Sequence, residues 1–217
     1  MTPTLPAIDP RRTALLVMDY QAGILGRLDE AEPLLSCAAD AIAVVRGRGG
    51  QIGYVRVAFD DADYDAVPPH SRFASLLATG REAMHNDSPA TAVHDAVAPE
   101  PGDITVRKTR VGAFSTTDLD QQLRDRGITT LILAGISTSG VVLSTVRDAA
   151  DRDYQVLVLA DACADPVPGV HEFLVEKIFP RQAHVITSAE LKDVLSGRGE
   201  TFRPSPIVNV ISSRNLE

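Results

Sequence analysis

The stretch from Leu131 to Asp151 constrains the fold most, because it joins an unbroken aliphatic run to a small polar turn and a helix-like segment. The run before Gly135 is typical of a parallel strand that is covered on both faces. We predict that this strand begins near Thr129 and ends at Gly135. In open α/β sheets, ligands bind outside the carboxyl ends of the strands, so the turn that follows is the first candidate for a functional site.

The turn places small polar residues where the first amide groups of a helix have no partners inside that helix. Backbone N–H groups in this position favour an anionic group. The turn residues are Ser137, Thr138, Ser139 and Gly140. We expect them to bind an oxyanion or another part of a substrate.

Five further short apolar runs alternate with helix-like segments. The runs end near residues 18, 58, 108, 160 and 187, and helices are predicted at 32–46, 72–79, 118–126 and 170–178 and after an N-cap at Ser188. This alternation predicts a Rossmann-like, three-layer α/β/α domain around a six-stranded, mostly parallel sheet. Residues 59–100 form a long insertion, which usually covers a site or makes an interface.

The length of 217 residues predicts one domain at 1–200, followed by a tail at 201–217. The tail contains the apolar run Ile207-Val-Asn-Val-Ile211. Such a run docks either on a neighbouring subunit, as an oligomerisation arm, or on its own domain. Together with the insertion, its aliphatic surface predicts a homo-oligomer, either a dimer or a tetramer.

Composition excludes several classes of partner. The net charge is −8 and no Lys/Arg cluster stands out, which argues against nucleic acid. No apolar run approaches the roughly 20 residues of a membrane span, and the first residues lack the pattern of a secretory signal. Two isolated cysteines, Cys37 and Cys163, fit a reducing compartment. We expect a cytoplasmic protein with a small-molecule substrate and no nucleic-acid or membrane partner.

Two other strands deliver charged side chains to the same edge of the sheet as the turn. Asp19 follows the aliphatic run that starts at Thr13, and Lys108 ends the run that starts at Asp103. A carboxylate, an ammonium group and several N–H donors are the parts of a hydrolytic site. A purely structural ion pair explains the two charges equally well at this point. Either interpretation predicts that Asp19 and Lys108 are in contact and face the turn.

Four ordered motifs between residues 13 and 195 resemble those of the isochorismatase-like hydrolases, also called the cysteine hydrolase family. The motifs are Leu16-Val-Met-Asp19-Tyr-Gln21, then Lys108 to Leu119, then Ala134-Gly-Ile-Ser-Thr138 with Thr145-Val-Arg-Asp-Ala149, and finally Asp161-Ala-Cys-Ala-Asp165 with His171. The resemblance implies the same three-layer fold and a site with an aspartate, a lysine and, in most members, a cysteine nucleophile.

The resemblance also assigns roles to individual residues. Asp19 and Lys108 match the aspartate and the lysine. A cis peptide bond is implied between Ile136 and Ser137, where it would turn backbone amides towards an oxyanion. The remaining candidates for substrate binding within the motifs are Gln21, Arg110 and Phe114.

The chain departs from the family pattern at the nucleophile. Counting from Gly135 to Arg147 puts Val141 at the cysteine position, and a valine side chain cannot form an acyl-enzyme. Cys163 follows another strand and is expected to be a small buried hydrophobic residue. Ser137 and Ser139 lie in the turn but lack an activating histidine motif, so hydrogen bonding is their expected role.

No cofactor and no metal are expected. Nicotinamidase-like members bind a metal through an Asp-x-His pattern, whereas this chain has Phe59-Asp60-Asp61-Ala62 at the corresponding place. The insertion histidines, His70, His85 and His94, are expected on the surface.

The resemblance leaves three functions open. Isochorismatases proper hydrolyse a vinyl ether without a nucleophile, so we predict a hydrolase of a small anionic metabolite that uses Asp19 acid–base chemistry. The alternatives are a binding or scaffold protein that has lost catalysis and a small amide hydrolase that uses activated water. The direction of the Asp19 pKa shift stays open, because burial raises it and Lys108 lowers it.

Overall fold

The computed structural model describes residues 8–196, which form a six-stranded, all-parallel sheet. The strands are β1 (Thr13–Met18), β2 (Gln51–Val57), β3 (Ile104–Lys108), β4 (Thr130–Ile136), β5 (Gln155–Ala164) and β6 (His184–Ile186). Their spatial order is β3-β2-β1-β4-β5-β6. The predicted α/β fold is confirmed. Successive strands are added towards one side of the sheet up to β3 and towards the other side from β4 onwards, so β1 and β4 flank a switch point. The crevice beyond such a switch point is where ligands bind in open α/β sheets.

In the described part of the chain, eight α-helices cover the two faces and the carboxyl edge of this sheet. They are α1 (Ala22–Leu25), α2 (Glu32–Gly47), α3 (Asp61–Asp65), α4 (Arg72–Gly80), α5 (Leu119–Asp125), α6 (Leu143–Asp151), α7 (Val170–Phe173) and α8 (Ser188–Val194). A wider, π-helical turn at Thr138–Val142 leads into α6, and another at Leu174–Ile178 continues α7. Within residues 8–196, none of the helices has the length and apolar content needed to cross a membrane.

Both faces of the central strands are buried in hydrophobic cores. Side chains alternate across a strand, so Leu15 and Val17 of β1 pack in one core with α2 and α8. Leu16 and Met18 pack in the other core, with α5 and α6. Every residue of β1 and β4 is buried. This two-sided burial explains why the sequence of these strands is continuously apolar.

Among the predicted element boundaries that differ in the structure, one belongs to β5 and one to α8. Strand β5 continues past residue 160 to Ala164, because a bulge in its pairing with β4 allows Cys163 to lie beside Gly135. Cys163 therefore lies within the strand. The N-cap of α8 is Thr187 instead of Ser188, since Thr187 Oγ1 accepts the amide of Glu190. Ser188 instead donates its hydroxyl to Asp161, at 2.6 Å.

The insertion at 59–100 is more ordered than the sequence predicts. It contains α3 as well as α4, and it has a small hydrophobic core of its own, formed by Phe59, Tyr64, Val67 and Leu77. The amide of Phe59 donates to Met84 O at 3.0 Å, and the amide of Asn86 donates to Phe59 O at 2.8 Å. These bonds tie the segment after α4 to the end of β2. The predicted tail at 201–217 lies outside the described residues.

Candidate active site

Asp19 lies directly after β1, at the switch point of the sheet. Its backbone adopts a left-handed conformation, with φ of 60°, and its amide donates to Val55 O of the neighbouring strand at 2.8 Å. The next turn is closed by the amide of Gln21, which donates to Asp19 O at 2.8 Å. Only 6% of the Asp19 side chain is exposed. The chain therefore bends at this residue while its carboxyl group stays buried.

Lys108 is the last residue of β3 and is as buried as Asp19. Its Nζ lies 2.8 Å from Asp19 Oδ2 and donates to Val111 O at 2.6 Å. The predicted contact between the two side chains is confirmed. Because burial removes both charges from water, each depends on the other for most of its electrostatic stabilisation.

Burial is the largest influence on Asp19. It raises the pKa of this carboxyl group from 3.8 to about 6, against the opposing charge and hydrogen bond of Lys108. The buried Oδ1 atom has no hydrogen-bond partner in the part of the chain that the structure describes. Asp19 is thus a carboxyl group that exchanges its proton near neutral pH and has one oxygen atom without a protein partner.

The polar turn follows β4, the neighbour of β1. The peptide bond between Ile136 and Ser137 is cis, as the family resemblance implies. Both residues line a cavity next to Asp19, together with Gly140 and Val141. A Cβ atom on residue 140 would lie 2.7 Å from Ser137 Oγ, so a larger residue here would force the Ser137 hydroxyl to move. Val141 is buried, and its side chain contributes an apolar part of the cavity wall.

Thr138 and Ser139 of the same turn do not line the cavity. Thr138 Oγ1 lies 2.9 Å from His171 Nδ1, and the amide of Ser139 donates to Asp165 Oδ2 at 2.7 Å. Both contacts join the turn to the region before and within α7. The Thr138 hydroxyl and the Ser139 amide therefore hold the turn in place, and the role of these residues in binding an oxyanion stays a prediction.

The cavity has a volume of about 500 Å³. It is lined by Asp19, Gln21, Gly23, Ile24, Arg27, Val57, Phe73, Thr79, Gly80, Ala83, Met84, Ala90, Thr91, Lys108, Arg110, Val111, Ile136, Ser137, Gly140 and Val141. The sheet supplies its polar floor, and α1, α4 and the segment after α4 supply much of its apolar wall. The insertion therefore covers the site, as its length predicts.

The other predicted binding residues differ in position. Gln21 lines the cavity, but its side-chain amide donates to Val57 O and Thr91 O at 2.9 and 2.8 Å, and its Oε1 accepts from Val57 N. Arg110 also lines the cavity. Phe114 does not, because its ring packs against Tyr154, with 6.2 Å between the ring centroids. A role for Phe114 in substrate binding is therefore not supported.

Twelve lining residues were not predicted from the sequence, and three of them have large side chains. Arg27 follows α1, Phe73 belongs to α4, and Met84 lies in the segment after α4. The only signal for them was the length of the insertion, which predicted a covering segment without indicating its inward-facing residues. Two further arginines near the strand ends, Arg56 and Arg107, do not line the cavity, and their guanidinium groups contact Asn86 and Asp63, respectively.

The cysteines and histidines do not add a reactive group to this cavity. Cys163 is buried inside β5 and does not line the cavity, and burial raises the pKa of its thiol to about 12. Within residues 8–196, His, Cys, Asp and Glu side chains form no group of three or more that is suited to hold a metal ion.

The charge of the cavity is unbalanced. Among the described lining residues, Arg27, Lys108 and Arg110 are cationic, whereas Asp19 is the single carboxylate. Lys108 is paired with Asp19, so the two arginines remain as excess positive charge. Such a site attracts an anionic ligand.

Residues 13–190 match the family model described as the isochorismatase domain. The chain belongs to the isochorismatase family. Over 185 residues it is 35% identical to the isochorismatase family protein YwoC of Bacillus subtilis, covering 84% of this chain and 94% of the relative. The structure of an isochorismatase family protein from Burkholderia thailandensis has a TM-score of 0.74 and 30% identity, with 89% of this chain and 100% of the other covered.

Two other similar proteins are named as amide hydrolases. The ureidoacrylate amidohydrolase RutB of Methylobacterium radiotolerans is 37% identical over 176 residues, which are 72% of this chain and 68% of the relative. N-carbamoylsarcosine amidase from Thermoplasma acidophilum has a TM-score of 0.68 and 27% identity, with 82% and 96% of the two chains covered. These matches support the coarse description of the chain as an isochorismatase-family hydrolase.

Proposed function

We propose that this isochorismatase-family hydrolase acts on a small anionic metabolite by acid–base chemistry of Asp19 and water, without a cysteine nucleophile. The reaction type is the hydrolysis of a vinyl ether. The observation that carries the proposal is the buried Asp19 carboxyl group, whose pKa is raised to about 6 and whose Oδ1 atom has no partner among the described residues. The excess positive charge of the cavity supports an anionic substrate.

The chemistry needs one proton donor and one water molecule. Neutral Asp19 gives its proton to the terminal vinyl carbon, and the positive charge that forms is shared between the other vinyl carbon and the ether oxygen. The Asp19 carboxylate that remains is stabilised by Lys108 Nζ, at 2.8 Å. Water then adds to the cation and loses a proton to Asp19. The resulting hemiketal breaks down to a ketone and an alcohol, and Asp19 is neutral again.

Val141 supports a mechanism that forms no acyl-enzyme. By the motif spacing, it occupies the position at which most members carry cysteine, and it is buried in the cavity wall. A valine side chain has no atom that can attack a carbonyl group. Cys163 does not line the cavity, so it is not available as a substitute nucleophile.

A second candidate is hydrolysis of a small amide by water that Asp19 activates. The names of the similar proteins RutB and N-carbamoylsarcosine amidase favour it. This reaction needs the ionised form of Asp19, whereas vinyl-ether hydrolysis needs the neutral form. The two candidates therefore predict opposite dependence on pH.

The experiment compares two probes, the cyclohexyl ether of enolpyruvate and N-carbamoylglycine. We expect the wild type to release pyruvate from the ether. Asp19→Asn should abolish this release, because the amide cannot donate the proton, and Val141→Ala should retain it. Val141→Cys serves as the matched variant that restores the family nucleophile, and we expect it to gain hydrolysis of the amide probe.

Other results with the two probes would contradict the proposal. Hydrolysis of only the amide probe by the wild type would replace the first candidate with the second. If the wild type hydrolyses neither probe, or if Asp19→Asn is as active as the wild type, the hydrolase proposal is wrong. The protein would then be a binding protein that retains the fold.

A further inference from the structure

We infer that Arg110 binds a carboxylate group of the substrate at the cavity wall and that Phe73 is the positioning residue that holds the Arg110 guanidinium there. This assignment deepens the proposed function, on which it rests, because it names the anionic group and the side chains that recognise it. Phe73 belongs to α4 of the insertion, whereas Arg110 follows β3. Recognition would therefore depend on contact between the insertion and the sheet.

The guanidinium of Arg110 makes one hydrogen bond within residues 8–196, so several of its N–H donors remain for a ligand. Its Nη1 atom donates to the adjacent Thr109 O at 2.6 Å. No carboxylate within residues 8–196 lies within 4.0 Å of it. The positive charge of Arg110 contributes to the lowered pKa of Asp63. Asp63 Oδ2, however, already accepts hydrogen bonds from Arg107 at 2.5 Å and from the amide of Asp60 at 2.9 Å. A half-buried arginine in this state is suited to a bidentate bond with a carboxylate.

The ring of Phe73 provides the surface against which the guanidinium packs. Arg110 Cζ lies 5.7 Å from the Phe73 ring centroid, within the range of a cation–π contact. Phe73 in turn packs on the fully buried Phe59, with 5.8 Å between the centroids, and Phe59 stacks on Tyr64 at 5.1 Å. The Phe73 ring therefore packs on the small hydrophobic core of the insertion. This support restricts the directions in which the guanidinium can point.

Arg81 offers a matched control at the other end of the same aromatic row. Its Cζ lies 4.1 Å from the Tyr64 ring centroid, so it has a similar cation–π contact. Unlike Arg110, it pairs with Asp61 at 3.0 Å and does not line the cavity. The same change of charge at the two arginines should therefore have different effects on substrate binding.

The kinetic test uses the cyclohexyl ether of enolpyruvate and the corresponding neutral carboxamide. Arg110→Gln should raise KM for the carboxylate by about 10- to 100-fold with little change in kcat, as expected for a lost charged hydrogen bond. The preference for carboxylate over carboxamide should disappear. Arg81→Gln should leave KM within about twofold, which is the scatter expected for a surface substitution.

Variants of Phe73 separate positioning from general packing. Phe73→Leu keeps an apolar side chain but removes the aromatic face, so KM for the carboxylate should rise about fivefold while KM for the carboxamide stays unchanged. Phe73→Tyr retains the ring and should behave like the wild type. Equal KM values for Arg110→Gln and Arg81→Gln, or a Phe73→Tyr variant as impaired as Phe73→Leu, would overturn the inference.

Binding without turnover distinguishes this inference from the proposed reaction. Benzoate and benzamide are titrated into the wild type, Arg110→Gln and Arg81→Gln by calorimetry. We expect benzoate to bind more tightly than benzamide, and this preference should be lost only in Arg110→Gln. If the preference is present but no ether is hydrolysed, the reaction is wrong and the carboxylate site stands. If the ether is hydrolysed but benzoate shows no preference that depends on Arg110, the carboxylate site is wrong.

Discussion

The pH dependence of turnover tests Asp19 as the proton donor. With a pKa of about 6, the neutral form makes up about 9% of the enzyme at pH 7. An aspartate at the ordinary value of 3.8 would be neutral in only about 0.06% of molecules, so burial enriches the acid form by about 150-fold. For the vinyl ether, kcat/KM should be level below about pH 5.5 and fall tenfold per pH unit above about pH 6.5.

The Lys108→Met variant tests the same prediction, because it should shift the pH profile in one direction, whereas a merely damaged active site would only lower the rate. The substitution removes the charge that lowers the pKa of Asp19, so that pKa rises and the falling limb moves to higher pH. The rate at low pH should also decrease, because the carboxylate formed on proton transfer loses its partner at 2.8 Å. Asp19 can become neutral in the variant, which avoids an unpaired buried charge.

The assay follows pyruvate release from the cyclohexyl ether of enolpyruvate between about pH 5 and pH 9. Lys192→Met on the exposed surface of α8 removes the same charge at a distance from the site and serves as the control. Thermal melting verifies that both variants are folded. A limb that stays in place in Lys108→Met, or a wild-type rate that increases with pH, would show that neutral Asp19 is not the proton donor.

Three predictions concern stability. Because the pKa of Asp19 is raised on folding, protonation of this carboxyl group stabilises the fold fully below pH 3.8, and this contribution is lost as the pH rises through about 6. The wild type should therefore lose stability across this window, and the Tm of Asp19→Asn should increase relative to that of the wild type. A Tm difference that stays constant with pH would contradict this prediction. Gly135→Ala should cost about 1–3 kcal/mol in urea unfolding, because its Cβ would lie 2.9 Å from a Val142 methyl carbon, whereas Gly47→Ala, with open space around it, should not destabilise. Phe59→Ala should lower the free energy of unfolding by about 3–5 kcal/mol and increase amide hydrogen exchange in α4. Unchanged exchange in α4 would show that this helix does not depend on the small core for its stability.

Local sequence patterns were sufficient to predict the six strands of the described sheet and the edge at which Asp19 and Lys108 lie. A continuous apolar run indicates a strand covered on both faces, and the residue after it must lie at the carboxyl edge. Asp19 follows such a run and Lys108 ends another, so the sequence alone places both at this edge. Their contact at 2.8 Å needs, in addition, that the Lys108 side chain reaches past the end of β2, which lies between β1 and β3.

The same patterns were insufficient where direction matters. Thr138 and Ser139 are as polar as Ser137, yet their hydrogen bonds are made with His171 and Asp165. The π-helical turn at Thr138–Val142 determines which of these side chains points into the cavity, and residue spacing alone does not predict that turn. Phe114 was misplaced for a similar reason, because its ring packs on a tyrosine that is distant in sequence.

The sequence by itself therefore determined the parallel sheet and placed Asp19 and Lys108 at its carboxyl edge, and the family pattern predicts that Val141 stands at the nucleophile position. Only the tertiary structure decided the chemical state of that site. The pKa of Asp19 depends on how completely distant segments exclude water from it and on the position of Lys108 Nζ. The pairing of Arg110 with Phe73 likewise depends on how the insertion docks. Burial and cation–π contact are properties of groups brought together from separate segments, so no single stretch of sequence contains them.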